Sequence, residues 1–386
     1  MKKILFDLLS AQPLGSTKFH GGGEYIKTIF ENIINNYSHL CEIIVFYNYD
    51  NFMDNWVKKI LREKKIKTYD IKKIENVSEI FKKEKIDIFY SGLPYNLKDD
   101  YIPKDICKVG TIHGLRALEK NIDKYAYLYT NKPKKIVNKL KMITNYDFIK
   151  SKKKYFQNIK LLDKIICDSE HTKYSICNYY PNVSTNHIKV YYPPEKKIED
   201  EAGENKKNEE NNRNEKYFLL ISADRWIKNS YRTIKAIDTL FSEKKLQNYK
   251  AVVVGCLPNK IRKKIKNQDK YKLIDYVSSN ELETLYKNCD FFIYPTLNEG
   301  FGMPPLEAMK YGKTCIVSAV TSLPEICGNA VYYINPYDIY EIRNRILQAV
   351  ENKIKKEVIK NQLDKINKRQ KEDLNKVCEY IIGINE

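Results

Sequence analysis

Long apolar runs are missing from this chain of 386 residues. A membrane helix needs about 20 consecutive, mainly apolar positions, and no segment offers them, so a soluble protein is expected. The start Met1-Lys2-Lys3-Ile4-Leu5-Phe6 has the flavour of a signal peptide, but Asp7 interrupts it at once, and it reads better as a first strand. The nine cysteines never form a CxxC pair or a metal-ligand spacing, and a chain this long needs no disulfide staples. They read as reduced core residues in a cytoplasmic protein. No Asp-x-Asp pair follows an apolar strand, so the sequence gives no sign of a divalent metal bridging a diphosphate, and no cofactor is expected. The dinucleotide-binding spacing G-x-G-x-x-G is missing too. Acid is scarce against base, with 49 Asp and Glu against 68 Lys and Arg, a formal charge of +19. Such a balance can signal nucleic acid or an anionic membrane surface. Here the bases are mostly Lys scattered among Ile, Asn and Tyr, and no nucleic-acid-binding motif accompanies them, so nucleic acid is not expected as a partner.

What is present is alternation. In the first half, residues 4–6, 43–47, 86–90, 109–112 and 165–167 are short apolar runs that read as strands, and helical spacing lies between them, most clearly at Ile26, Ile29, Phe30 and Ile33. That pattern predicts a parallel sheet covered by helices. From 198 to 214 the chain is rich in Glu, Lys and Asn and too polar to bury a core, as a linker or loop insertion would be. Alternation restarts with strands expected at 217–221, 251–254, 291–294 and 315–317. Ser278 with Glu281, and Asp338 with Glu341, have the spacing of helix N-terminal capping boxes. The division expected is 1–194 and 216–360 as two α/β domains, 195–215 as the linker, and 361–386 as a last helix with apolar positions Leu374, Val377, Cys378 and Ile381.

The most informative stretch is Asn298-Glu299-Gly300-Phe301-Gly302-Met303-Pro304-Pro305-Leu306-Glu307. It follows the apolar run 291–294, and its two prolines suit the first turn of a helix, where a missing N–H is no loss. The order is therefore strand, glycine-containing loop, helix. Gly300 and Gly302 permit close approach of backbone, so the amides of Phe301, Gly302 and Met303 can face an anion at the positive helix end. Glu299 on the loop and Glu307 in the helix are good acceptors from hydroxyls and poor neighbours of phosphate. A ligand with hydroxyls on both sides of a phosphate has that layout, and a nucleotide sugar is such a ligand. A glycine turn followed by an acidic helix start, favoured by the macrodipole, is the plainer alternative.

This run resembles the glutamate-spaced signature of the retaining glycosyltransferases of family four. The resemblance continues through Ala308-Met309-Lys310-Tyr311-Gly312, Cys315-Ile316-Val317-Ser318 and Leu323-Pro324-Glu325-Ile326-Cys327-Gly328-Asn329-Ala330. It covers roughly residues 216–338 and is patchy before them. It implies the GT-B fold, two Rossmann-like doubly wound domains facing an interdomain cleft, with the last helix packing back on the first domain. It also implies metal-independent transfer of a hexose from a nucleoside-diphosphate sugar to a saccharide or lipid-linked saccharide, in surface polysaccharide synthesis.

In open α/β sheets ligands lie beyond the carboxyl ends of strands, and four further segments sit at such ends. His20-Gly21-Gly22-Gly23 precedes a helix expected to begin near Glu24; Gly22 and Gly23 resemble the family's glycine-rich loop, and a simple flexible loop is the alternative. His113 follows the strand 109–112 in Thr111-Ile112-His113-Gly114-Leu115-Arg116 and matches the family's histidine-glycine motif, which implies a contact near the reacting sugar or the acceptor hydroxyl. Arg116 is a candidate for an anionic group on the acceptor. Arg225 and Lys228, in Asp224-Arg225-Trp226-Ile227-Lys228-Asn229, follow the strand 217–221. Fixed cations there can stabilise charge that builds on a departing diphosphate, though a solvated basic turn competes as a reading of Lys228. Many members of the family space this pair more widely than the two intervening residues here. Tyr276-Val277-Ser278 matches the region that holds the nucleobase, with Val277 as its centre. Carried over residue by residue, the resemblance gives Glu299 the sugar hydroxyls, Glu307 the ribose hydroxyls, and places Leu306 in the donor-binding run.

Residues 134–160 repeat Lys clusters between Ile136, Val137, Leu140, Ile143, Phe148 and Ile149. A basic amphipathic helix of this kind can lie on an anionic membrane, giving peripheral attachment at the inner face, or can simply cover the first domain. Two other classes of function compete with glycosyl transfer: another sugar chemistry on the same fold, phosphorolysis or epimerisation, and a non-catalytic basic module that binds membrane or nucleic acid.

Overall fold

The computed structural model describes residues 1–13, 20–94, 102–120, 122–130, 156–195 and 215–384. The chain divides into two compact units: unit 1 comprises Met1–Leu115, Ile149–Lys196 and Asn367–Glu386, and unit 2 comprises Arg116–Phe148 and Lys197–Ile366. The polar stretch 198–214 and most of the basic segment 134–160 lie outside the described residues.

Unit 1 is built on seven parallel strands, β1 (Lys2–Asp7), β2 (Cys41–Tyr47), β3 (Lys67–Asp70), β4 (Ile88–Ser91), β5 (Cys107–Ile112), β6 (Lys164–Cys167) and β7 (Ile188–Val190), in the order 3-2-1-4-5-6-7. Unit 2 has six, β8 (Lys216–Leu220), β9 (Tyr249–Val254), β10 (Tyr271–Ile274), β11 (Phe291–Tyr294), β12 (Thr314–Ser318) and β13 (Val331–Ile334), in the order 10-9-8-11-12-13, again parallel. Both are α/β sheets whose order reverses once, at β1 beside β4 and at β8 beside β11. Ligand crevices of such sheets open at that reversal, beyond the carboxyl ends of the strands. This is the α/β architecture expected from the alternation, and it is the GT-B fold.

The central strands are fully buried because both faces are covered, which is why they read as continuous apolar runs. Ile26, Ile29, Phe30 and Ile33 point from the helix Gly21–Tyr37 into the unit 1 core, together with Ile4, Phe6 and Val45. In unit 2, Phe218, Ile237, Leu240, Phe291 and Ile293 form the centre. Four strands had no sequence signal: β3, β7, β10 and β13. The capping box at Ser278 is complete, with its hydroxyl accepting from the Glu281 amide and the Glu281 carboxylate accepting from the Ser278 amide. At Asp338 only half of it forms, since Glu341 accepts instead from the Asn335 amide, 3.1 Å away.

One helix starts earlier than expected. It begins at Gly21 and not near Glu24, because His20 caps it: its Nδ1 accepts from the Gly23 amide at 3.0 Å. The three glycines therefore form the first helical turn. The last helix, Lys356–Ile382, contributes Ile359, Leu363 and Ile366 to unit 2, and Val377, Cys378 and Ile381 to the core of unit 1. No helix among the described residues is long and apolar enough to cross a membrane.

Candidate functional site

In unit 2 the strand end of β11 and the turn after β8 meet on one carboxylate. Glu299 is 7% exposed. Its Oε1 accepts from Lys228 Nζ at 2.6 Å, from Thr296 Oγ1 at 2.7 Å and from the Tyr294 hydroxyl at 2.9 Å. Lys228 also donates to the Tyr294 hydroxyl at 2.5 Å and lies 4.8 Å from the centre of that ring. Arg116 Nη2 stands 3.9 Å from Glu299 Oε2. Burial alone would push this carboxyl up; the charges of Lys228 and Arg116 and the bonds from Lys228 and Thr296 overcome it and hold the group down at about 2. Glu299 is therefore ionised at neutral pH and a poor base, since a general base works best with a pKa near the working pH. It is a fixed acceptor.

The backbone around it is equally constrained. The Glu299 amide donates to Thr321 Oγ1 at 3.1 Å, and Ser322 Oγ donates to the carbonyl of Phe301 at 2.7 Å. Gly302 caps the helix Met303–Met309 at φ 111°, and a Cβ there would stand 2.5 Å from Leu323 Cδ2, so both the angle and the packing require glycine. Leu306 and Phe301 are buried, while Glu307, half-buried on the helix, accepts from the Tyr286 hydroxyl at 3.0 Å. Tyr286 belongs to the helix Ser279–Asn288, which starts just after the half-buried Val277. One hydrogen bond thus ties the helix that follows Val277 to the helix that carries Glu307. Arg225 is exposed at the turn ahead of Lys228, near enough that its charge, after burial, helps depress the Lys228 ammonium.

A second cluster lies in unit 1 at the ends of β1, β5 and β6. His113 Nδ1 is 2.7 Å from Asp168 Oδ2, and the imidazole meets the Tyr25 ring edge-on, with centroids 4.9 Å apart. Among the described residues its buried Nε2 makes no well-formed hydrogen bond, although the Gly92 backbone lies close enough to help raise the imidazole's pKa. Burial pulls the imidazolium down, but the Asp168 carboxylate outweighs it, and the net shift is upward. A Cβ on Gly22 would lie 3.4 Å from His113 Cδ2, whereas one on Gly23 would lie 2.8 Å from the Ala11 carbonyl oxygen. Gly22 thus leaves room beside the imidazole, and Gly23 lets the helix pack on the loop after β1. His20 Nε2 faces the Gln12 carbonyl at 3.1 Å while Nδ1 accepts from Gly23, an arrangement that calls for the neutral ring and agrees with its pKa being lowered by burial.

The structure brings Lys228, Glu299 and Arg116 together in unit 2, and Gly22 with His113 in unit 1. Arg116, the candidate for an anionic group on the acceptor, is grouped with unit 2, where it stands against Glu299. Sequence reasoning missed Asp168, Tyr294 and Thr296. All three lie at or just past the carboxyl end of an apolar strand, β6 or β11, and that position was the available signal.

Over the whole chain the fold is similar to that of HepE of Anabaena, solved in complex with UDP and glucose (TM-score 0.63, 14% identity, all of both chains covered), and of the lipopolysaccharide outer core galactosyltransferase WaaB (TM-score 0.63, 15% identity, 99% of both). Residues 201–366, which hold Arg225, Lys228, Glu299 and Glu307, match the family described as glycosyl transferases group 1. Among curated relatives, the O-antigen chain mannosyltransferase RfbU of Salmonella typhimurium is 30% identical over 189 residues, 47% of this chain and 49% of RfbU. The serotype-specific mannosyltransferase WbdA of Escherichia coli is 41% identical over 75 residues, 19% of this chain and 9% of WbdA. The chain spans about half the length of RfbU and a small part of WbdA.

Proposed function

We propose that this protein is a retaining, metal-independent glycosyltransferase that moves a hexose from a nucleoside-diphosphate sugar to a saccharide or lipid-linked saccharide of a surface polymer. The observation that carries the reading is the ionised Glu299, fixed on Lys228, Tyr294 and Thr296 beside the start of the helix that bears Glu307. Glu299 Oε1 is occupied by its three donors, so Oε2 is the oxygen that takes a sugar hydroxyl. Lys228 has three N–H donors and directs two of them to Glu299 and Tyr294, which leaves one for a phosphate oxygen. Arg225 adds a two-pronged contact from the solvent side. Glu307 takes the ribose hydroxyls, and the backbone near Val277 faces the nucleobase.

In the transfer, the bond from the anomeric carbon to the diphosphate oxygen breaks as the bond to the acceptor oxygen forms on the same face. The acceptor's proton passes to the departing phosphate oxygen. Lys228 and Arg225 stabilise the charge on that diphosphate. A carboxylate with a pKa of about 2 takes no part as a base, which leaves Glu299 the role of positioning the sugar. His113, whose Nε2 makes no well-formed hydrogen bond among the described residues, is assigned the contact with the reacting sugar or the acceptor hydroxyl. RfbU and WbdA make mannose the first donor sugar to try. A thermal-shift screen against UDP-, GDP- and dTDP-sugars tests the reading: one nucleotide sugar should raise the melting temperature, and Arg225→Ala and Glu307→Ala should abolish the rise. No response of the native protein to any of them would refute it.

Peripheral attachment to an anionic membrane through residues 134–160 is part of the same reading. Liposome flotation with neutral and anionic lipids tests it, and binding that ignores lipid charge removes it.

A further inference from the structure

Residues 116–130 come from the first half of the chain, yet their described part is built into unit 2. Leu128 is buried in the unit 2 core. The Tyr129 hydroxyl accepts from the Tyr231 amide at 2.8 Å and lies 3.0 Å from Ser230 Oγ. Lys260 Nζ donates to the Thr130 carbonyl at 2.6 Å. The firmest tie is ionic. Arg232, 2% exposed, grips Asp123 with two bonds of 2.9 Å, one from each terminal nitrogen, and its guanidinium lies 4.6 Å from the centre of the Tyr125 ring.

This pair does not stand alone. Arg232 Nη1 also donates to Asn229 Oδ1 at 2.8 Å, and Asn229 Nδ2 donates to the carbonyls of Pro295 at 3.0 Å and Pro336 at 2.7 Å. Asn229 follows Lys228 directly, and Pro295 sits between Tyr294 and Thr296. One chain of hydrogen bonds from Asp123 thus ends on Asn229 and Pro295, the covalent neighbours of Lys228, Tyr294 and Thr296, the three groups that donate to Glu299. At the other end of the segment, Glu119 Oε2 accepts from Asn298 Nδ2 at 2.6 Å, and Arg116 addresses Glu299. A buried two-pronged pair fixes geometry as well as charge.

We infer that Asp123 and Arg232 are positioning residues that lock the segment 116–130 onto unit 2, so that Arg116 and Glu119 hold Glu299 and Asn298 in place for the donor. The donor part of this inference rests on the function proposed above; the coupling between the segment and the Glu299 loop does not. Hydrogen exchange measured by mass spectrometry reads the coupling without any ligand. With Asp123→Asn, amides in 116–130 and in 294–301 should exchange at least about tenfold faster, while those of β9 keep their native rate. Unchanged exchange in 294–301 would overturn the inference. Should Asp123→Asn loosen the whole unit, β9 included, Arg232→Lys replaces it, keeping the charge and losing the fork, with the same two outcomes.

The donor side is read by calorimetry with UDP-glucose, UDP-galactose and GDP-mannose. Arg116→Ala should weaken binding about tenfold in the native background and less than about twofold in the Asp123→Asn background, since the two residues act through one contact. Full additivity would contradict that part. A native protein that binds none of the three probes counts against the glycosyl-transfer reading, and hydrogen exchange still decides the coupling.

Discussion

The Glu299 cluster and the His113 cluster both lie at the carboxyl ends of neighbouring parallel strands, β8 with β11 and β5 with β6, yet they are finished to different degrees. Glu299 has three donors on one oxygen and a cation near the other, all supplied by unit 2 itself. His113 has one firm partner, Asp168, and a buried Nε2 that makes no well-formed hydrogen bond among the described residues. A satisfied buried charge is rigid and holds its shape without a ligand, whereas an unsatisfied buried nitrogen is a standing cost that a ligand can remove. On the function proposed above, the Glu299 cluster is a preformed part of the donor site, and the His113 cluster is the less finished of the two.

The largest effect that would break the comparison is at Glu299 itself. Replacing it by Ala leaves Lys228 buried without its counter-charge, and urea unfolding should show a loss of about 3–5 kcal/mol; a loss below 1 kcal/mol would mean the cluster is not internally satisfied. Next comes Gly302→Ala, which forces a side chain into φ 111° against Leu323 and should cost about 1–3 kcal/mol. Gly22→Ala, at ordinary helical geometry beside His113, should cost clearly less. Equal losses would show that the two glycines serve the same packing role.

A smaller effect is expected at Asp168. In the folded protein the His113 pKa is raised above its usual 6.5, so the stability that the pair contributes is fully present below about pH 6.5 and is lost as pH rises through the raised folded value. Stability should therefore fall on going from pH 6 to 8, and Asp168→Asn should flatten that slope. A slope unchanged by the substitution would show that Asp168 does not hold the imidazolium. Glu299 has the opposite sign: with its carboxyl held at about 2 against a usual 4.5, its contribution is present above pH 4.5 and is lost only as pH falls toward 2. The smallest effect is Tyr286→Phe, about 1 kcal/mol or less for one half-buried hydrogen bond to Glu307.

The central strands and the Glu299 run were legible because full burial and local spacing leave their mark in adjacent residues. The four strands without a signal, β3, β7, β10 and β13, are the four sheet edges. Edge strands here carry partly exposed positions, as in Lys67-Thr68-Tyr69-Asp70 and Tyr271-Lys272-Leu273-Ile274, so neither an apolar run nor strict alternation appears. The same limit applies to the site. Glu299, Tyr294 and Thr296 are within six residues of each other, but Asp168 is 55 positions from His113, and Asp123 is 109 from Arg232. Pairings across such distances are set by topology. The contact of Arg116 with Glu299 is set in the same way, by a segment that docks where Asp123 finds Arg232.

The central claim is that unit 2 holds a nucleotide sugar on Arg225, Lys228, Glu299 and Glu307. Titration calorimetry with a panel of UDP-, GDP- and dTDP-sugars, on the native protein and on Arg225→Ala and Glu307→Ala, tests it most directly. The account predicts saturable one-to-one binding of one nucleotide sugar, weakened about tenfold or more by either substitution. Binding that survives both substitutions unchanged, or no binding to any nucleotide sugar, would contradict it.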